Sequence, residues 1–231
     1  MLLIVTMMVL VLAGMPGRLI TALSLAGLAA AGIFAFSSPY RRARVLSFLH
    51  PGASPGGAGY QQLQSKIALG GCGWHGCGYG NSHTKWGLLP NPHTDFIFAI
   101  IGEELGFIGA AIVIGLFIWL IALGLQASMR APDRESQLLA GAITSWFAIE
   151  TIVNIASVVG WWPVTGIPLP FISYGGTSLV IDLAAIGLLV NVARRTTLQR
   201  GALTNKVAPM RRREPAPRVL EAATRERRRS R

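Results

Sequence analysis

The chain has 231 residues, 52% hydrophobic and only 13% charged, and its mean hydropathy of +0.48 excludes an ordinary soluble domain in favour of a membrane protein. The formal net charge of +11 is concentrated in a tail: Arg194 to Arg231 hold 13 Lys/Arg against 3 Asp/Glu, and the remainder holds 8 against 7. No basic stripe is left on the body of the chain to bind nucleic acid, and the tail reads as a disordered cytoplasmic extension that fixes topology and touches anionic lipid.

In chain order, residues 1–15 are apolar from the first residue and lack the basic start of a signal peptide. They are short of the roughly 20 residues a full span needs and read as the latter part of a membrane helix. Pro16-Gly17-Arg18 makes a tight turn. Residues 19–36, rich in Leu, Ala and Gly, form a second span whose small residues allow close packing. A basic cluster, Arg41, Arg42 and Arg44, follows, and then a linker composition, Ser54-Pro55-Gly56-Gly57-Ala58-Gly59. Residues 60–92 are Gly-rich and mixed. Within them Cys72 and Cys77 flank His75, a spacing open to a zinc site, a local disulfide in an oxidising compartment, or two incidental thiols. Further spans are predicted at 107–125, 138–159 and 177–193, the fourth interrupted by Glu150 and Asn154 and closed by the interfacial pair Trp161-Trp162. Between the last two, residues 163–176 contain three prolines and three glycines and cannot be regular helix.

With the basic tail placed inside, the positive-inside rule puts 163–176 outside, 126–137 inside and the long 37–106 region outside. The fold expected is all-α: a polytopic membrane bundle of about five spans over 1–195, with an outer loop at 37–106 and a tail at 196–231. The three arginines of the outer loop violate the topology preference, which a bound anionic headgroup or a pairing with nearby acids would explain.

The segment Leu88 to Leu105 carries Asp95, Glu103 and Glu104 at the edge of an apolar run. An acid at the mouth of a membrane-embedded site costs solvation energy and more often has a function than not. The plainer reading is that Thr94 or Asp95 caps the helix starting near Phe96. On the predicted topology one face gathers Asp95, Glu103, Glu104, Lys85, Arg42, Arg44, Thr165, Ser173 and Tyr174, with Gly175-Gly176 permitting close backbone approach to a phosphate. Such a set suits a substrate with a lipid tail, a phosphate link and sugars: cations hold the pyrophosphate and a carboxylate takes a proton from a hydroxyl nucleophile. A transporter would also place charges at a broken helix.

The runs Y-Q-Q-L-Q-S-K-I-A-L-G-G from Tyr60, G-Y-G-N-S from Gly78 and L-P-N-P-H-T-D-F-I-F-A-I-I-G-E-E-L-G from Leu89 resemble the SEDS family of cell-wall polymerases. P-V-T-G-I-P-L-P-F-I-S-Y-G-G-T-S from Pro163 resembles the second signature of that family, and I-I-G-E-E-L-G is closer to its division branch than to its elongation branch. The resemblance covers about Met1 to Arg195. It implies the C-terminal half of a bundle of about ten helices, with an upstream half completing the lipid groove.

The implied activity is peptidoglycan glycosyl transfer at the outer face of the bacterial cytoplasmic membrane. Lipid II would be polymerised into a β-1,4 glycan at the division septum, beside a class B penicillin-binding protein and other division proteins. Asp95 falls on the essential aspartate of the family, as base for the acceptor hydroxyl. Lys85 and Arg42 or Arg44 fall on its substrate-binding cations. A divalent cation, Mg2+ or Mn2+, would fit the departing undecaprenyl pyrophosphate, and no organic cofactor is implied. Glu150 stands where the family usually has Gln, and Asp182 stands mid-span where a neutral residue is usual. Their partners are expected in the upstream half. The competing readings are a lipid II flippase and a non-catalytic division scaffold.

Overall fold

The computed structural model describes residues 2–39, 42–43, 46, 48, 58–82, 84 and 94–207. Among them six helices follow one another: α1 (Leu2–Leu12), α2 (Gly17–Phe36), α3 (Ala58–Gly71), α4 (Ile97–Arg130), α5 (Arg134–Val159) and α6 (Gly176–Val207). No strand occurs among the described residues, so the all-α expectation holds. Four segments, Gly17–Phe36, Ile97–Arg130, Arg134–Val159 and Gly176–Thr196, are long and apolar enough to cross a membrane. The 11 residues of α1 rise only about 16 Å, against a hydrocarbon core of ~30 Å.

Local chemistry sets the boundaries. Past Leu12 the chain turns through Gly14 at φ +77° and into Pro16, whose fixed φ then opens α2. The orphan carbonyl of Leu12 is met by Arg134 Nη2 at 2.7 Å. Asp133 caps α5 by accepting from Ser136 N at 2.8 Å, and Glu135 in the first turn complements the helix dipole. That backbone hydrogen bond, with a second from the Ser136 side chain, holds the Asp133 carboxyl below its ordinary range. Gly160, at φ 88°, ends α5 in the left-handed conformation.

Three boundaries differ from the sequence reading. A helix, α3, occupies part of the region expected to be an irregular outer loop, and it takes in Ala58 and Gly59 of the linker composition. The span predicted at 107–125 is the middle of α4, whose 34 residues would measure about 51 Å if straight, far more than a bilayer core. The excess is a separate helical segment, 97–105, divided from 107–130 by Gly106 at φ 69° and ψ −165°. The last helix continues past 193 to Val207, so 196–207 is helical where a disordered tail was expected: no proline interrupts the chain between Gly176 and Pro209. Residues 208–231 lie outside the described part.

α5 is the centre of the bundle and packs on α1, α3, α4 and α6. Two apolar clusters hold it. One joins Phe96, Phe98, Ala99, Ala110 and Phe117 of the α4 region to Ala68, Val158, Val164 and Leu169. The other joins Ala127 to Ala140, Ile143, Phe147, Ala185, Leu189 and Val192. The Arg134–Leu12 bond brings the 13–16 turn and the 131–133 connector to one end of the bundle. The loop after α5 meets Thr94 and Asp95 at the other.

Candidate functional site

The break at Gly106 leaves backbone groups with no partner inside α4, and a buried orphan costs about as much as a lost hydrogen bond. The loop after α3 supplies what is missing. Cys77 N donates to Glu103 O at 2.9 Å and Gly78 N to Glu104 O at 3.0 Å, while Phe107 N and Ile108 N donate to Gly73 O and Trp74 O at 3.2 and 3.3 Å. The approach is so close that a Cβ at Gly106 would run into Gly76 N and Trp74 O, and one at Gly76 into Glu104 O. Cys72 and Cys77 form a disulfide across this loop, and Trp74 sets its ring edge-on to Phe107 at 5.2 Å. The cysteines are thus settled as a disulfide. Among the described residues no group of three or more His, Cys, Asp or Glu is placed to hold a metal.

Glu103 is buried at this junction. Its Oε2 accepts from Ser82 Oγ at 2.6 Å and from Thr84 Oγ1, and its Oε1 from Thr84 N at 3.4 Å. Glu104 is also buried, with Oε1 unpaired among the described residues. Both acids lie about two helical turns from Asp95 along the 97–105 segment. The three acids of the motif therefore do not converge on one point.

Asp95 stands just before α4 and is half-buried. It does not cap the helix: Phe96 occupies the N-cap position and no side chain closes it. Its backbone is fixed from two sides. Asn154, fully buried on α5, donates from Nδ2 to Asp95 O at 3.1 Å and to Ile167 O at 2.7 Å. Ser173 Oγ donates to Thr94 O at 2.6 Å and accepts from Leu169 N at 2.7 Å. The Asp95 carboxylate faces the loop at Gly166, where a Cβ would sit 3.4 Å from Oδ2. Phe96, 1% exposed, pins the next residue into the core.

The sequence reading noted Asn154 only as an interruption of a span. Its role is visible in three dimensions because both of its acceptors come from other segments. Asn154→Leu is expected to leave those two carbonyls without a donor and to cost about 2–4 kcal/mol, read as a lowered unfolding temperature in detergent with faster proteolysis across 163–175.

The loop itself is held from below. Phe171, at φ 63°, takes a conformation rare for a bulky side chain. Its N–H donates to Asp182 Oδ2 at 3.2 Å, and its ring lies 5.1 Å from that of Phe147. The partner of Asp182 is therefore within this chain, not in an upstream half as expected. Glu150 is likewise buried here, within electrostatic reach of Asp182. Its Oε2, with Thr151 Oγ1 and Asn154 Oδ1, has no hydrogen-bond partner among the described residues. Glu150 and Thr151 each lie about one turn from Asn154, and the three make a polar patch on α5 that leads inward from Asp95.

α3 serves the same end of the bundle by closing the C-terminus of α5. Ser65 Oγ donates to Val158 O at 2.9 Å and Gln62 Nε2 to Trp162 O at 3.1 Å. The Lys66 side chain lies across Gly160, a favourable place for a cation at a helix C-terminus. Sequence reasoning missed all three, because nothing marked 58–71 as a capping helix.

Of the other predicted site residues, Thr165 and Tyr174 are exposed in the loop and Ser173 is buried beneath it. Gly175 and Gly176 lead into α6. Arg42 is exposed, with its N–H bonded to Ser38 O at 3.0 Å. Lys85, Arg41 and Arg44 lie outside the described residues. Beside Phe171 and Ile172 an apolar groove of about 220 Å³ opens along Val113, Leu116, Phe117 and Leu120.

A bundle of helices long and apolar enough to cross a membrane, with a carboxylate at one end beside a non-helical loop, defines a polytopic membrane protein. The chain belongs to the FtsW/RodA/SpoVE family of cell cycle proteins, whose profile matches residues 1–198. It is 46% identical over 172 residues to "Stage V sporulation protein E" of Bacillus subtilis (strain 168), covering 74% of this chain and 47% of that protein. It is 46% identical over 171 residues to "Probable peptidoglycan glycosyltransferase FtsW" of Trichlorobacter lovleyi, covering 74% and 44%. It also resembles a chain from a solved structure, "Structural coordination of polymerization and crosslinking by a peptidoglycan synthase complex", with a TM-score of 0.65 and 33% identity over 84% of this chain and 54% of that one. The chain spans about half the length of the curated relatives it matches.

Proposed function

We propose that this chain forms the site-bearing half of a peptidoglycan glycosyltransferase that polymerises lipid II into β-1,4 glycan strands during septal wall synthesis. The reading rests most on Asp95, whose backbone is bolted by Asn154 and Ser173 while its carboxylate faces the 163–175 loop. The carboxylate takes the proton of the acceptor sugar hydroxyl as that oxygen attacks the anomeric carbon of the donor. Undecaprenyl pyrophosphate leaves from the opposite face, so the configuration inverts.

The N-terminus of α6, exposed at Gly176 and Thr177, offers its first N–H groups to the pyrophosphate. Lys85, Arg42 and Arg44 are the proposed cations for the same group. Thr165 and Tyr174 are exposed toward the sugars, and Ser173 acts through the backbone it holds. The apolar groove beside Phe171 suits the prenyl chain. Glu103 contributes by fixing Ser82 and Thr84. Mg2+ or Mn2+ would bind through one carboxylate and the substrate phosphates. The Asp95 carboxylate and the Thr165 hydroxyl are hard donors of the right kind for it.

The site end is proposed to face outward at the division septum, with the C-terminus cytoplasmic and a class B penicillin-binding protein and other division proteins as partners. A version extended to the length of its relatives and given purified lipid II is expected to produce glycan polymer and undecaprenyl pyrophosphate in equal step. Transbilayer movement of lipid II without polymer would favour a flippase instead.

A further inference from the structure

A second groove lies between α4 and α6 at the end of the bundle away from Asp95. Its volume is about 390 Å³, and its walls are apolar at Leu120, Leu123 and Gly124 on one side and at Ile186, Leu189 and Val190 on the other. The far end is polar, closed by Gln126, Arg130 and Thr196. From Leu120 to Arg130 the helix rises about 15 Å, half of a ~30 Å hydrocarbon core and so the depth of one leaflet.

The charge at that end has a clear sign. Arg130, Arg134, Arg194 and Arg195 stand against Asp133 and Glu135. Arg134 is engaged with Gln137 and Leu12, and Asp133 interacts with Arg195. Arg130 and Arg194 remain as the exposed surplus, and Arg130 lines the groove. An apolar trough one leaflet deep, lying between two helices of membrane-crossing length and ended by the Arg130 guanidinium, matches an acyl chain joined to a phosphate.

We propose that this groove binds an anionic phospholipid, one acyl chain lying between α4 and α6 and the phosphate on Arg130. The site is separate from Asp95 and does not depend on the catalytic reading.

The test uses the whole chain purified into nanodiscs containing equal phosphatidylglycerol and phosphatidylcholine, followed by native mass spectrometry of the lipid it retains. Phosphatidylglycerol is expected to be retained about fivefold over phosphatidylcholine, the discrimination of one basic residue near a membrane surface. Arg130→Gln should remove most of that preference and Arg130→Lys should keep most of it. Equal retention of the two lipids, or an unchanged preference in Arg130→Gln, overturns the proposal. A photoreactive side chain at Ile186 gives an independent reading: cross-linking to lipid supports the site, and cross-linking only to protein means that a companion helix fills the groove and overturns it.

Discussion

Asp95→Asn, in a version extended to the length of the relatives, is expected to lower glycan polymerisation by about 10²–10⁴-fold, the range for loss of a general base. Asn has nearly the same shape, so the fit against Gly166 should survive. The supports of the site also survive, because Asn154 and the Ser173 hydroxyl grip main-chain carbonyls of Asp95 and Thr94 rather than the carboxylate. The substitution therefore removes proton acceptance, together with one charged donor to a divalent cation bound there, and leaves the backbone of the site in place. Lipid II binding, measured separately, should stay within a few-fold of the parent, since the cations and the apolar groove are untouched. Polymer length and rate on gels give the decisive comparison. Polymerisation at the parent rate with Asn at this position would end the assignment of Asp95 as the base.

The second large effect concerns assembly rather than chemistry. Gly106→Ala is expected to destabilise the protein by about 3–5 kcal/mol, the size of the severest single changes. Two costs combine there. The positive φ of Gly106 disfavours any L side chain, and the added methyl would meet backbone atoms of Gly76 and Trp74, which cannot swing aside as a side-chain tip would. The loop would have to lift, and four main-chain hydrogen bonds that repair the helix break would go with it. Gly80→Ala separates the two costs: Gly80 also has positive φ, 81°, but nothing lies within 4 Å of its missing Cβ. It should lose only about 1–2 kcal/mol. Unfolding in detergent would rank the pair, and equal losses at the two positions would mean that the close approach at Gly106 carries no weight.

Much of the bundle was legible from hydropathy alone. The runs at 19–36, 138–159 and 177–193 are long, apolar and bounded by turn residues or charge, and each falls within a helix long and apolar enough to cross a membrane. A helix starting near Phe96 was one of the readings open in the sequence, but Glu103 and Glu104 drew 97–105 into the presumed outer loop, because charge reads as solvent exposure. Both are buried, and Glu103 spends its oxygens on Ser82 and Thr84. α3 was hidden for the opposite reason: Ala58 and Gly59 belong to a linker composition, and glycines weaken a helical pattern without forbidding it. Asp95 could be picked out as a residue of interest from its motif. Asn154 and Asp182 could not be assigned roles that way, since their partners are backbone groups that only the folded chain brings near.

The Cys72–Cys77 bridge closes a small ring at the mouth of the kinked helix. Protein thiols stay reduced in the cytosol and pair in the periplasm or outside the cell. On the proposed outward topology, closure of this ring would mark the arrival of the segment on the oxidising side, and mass-tagging of its sulfurs during biosynthesis would time the crossing. Cell-free or cytosolic production under reducing conditions yields a chain whose loop lacks this brace, held against the helix by main-chain contacts alone.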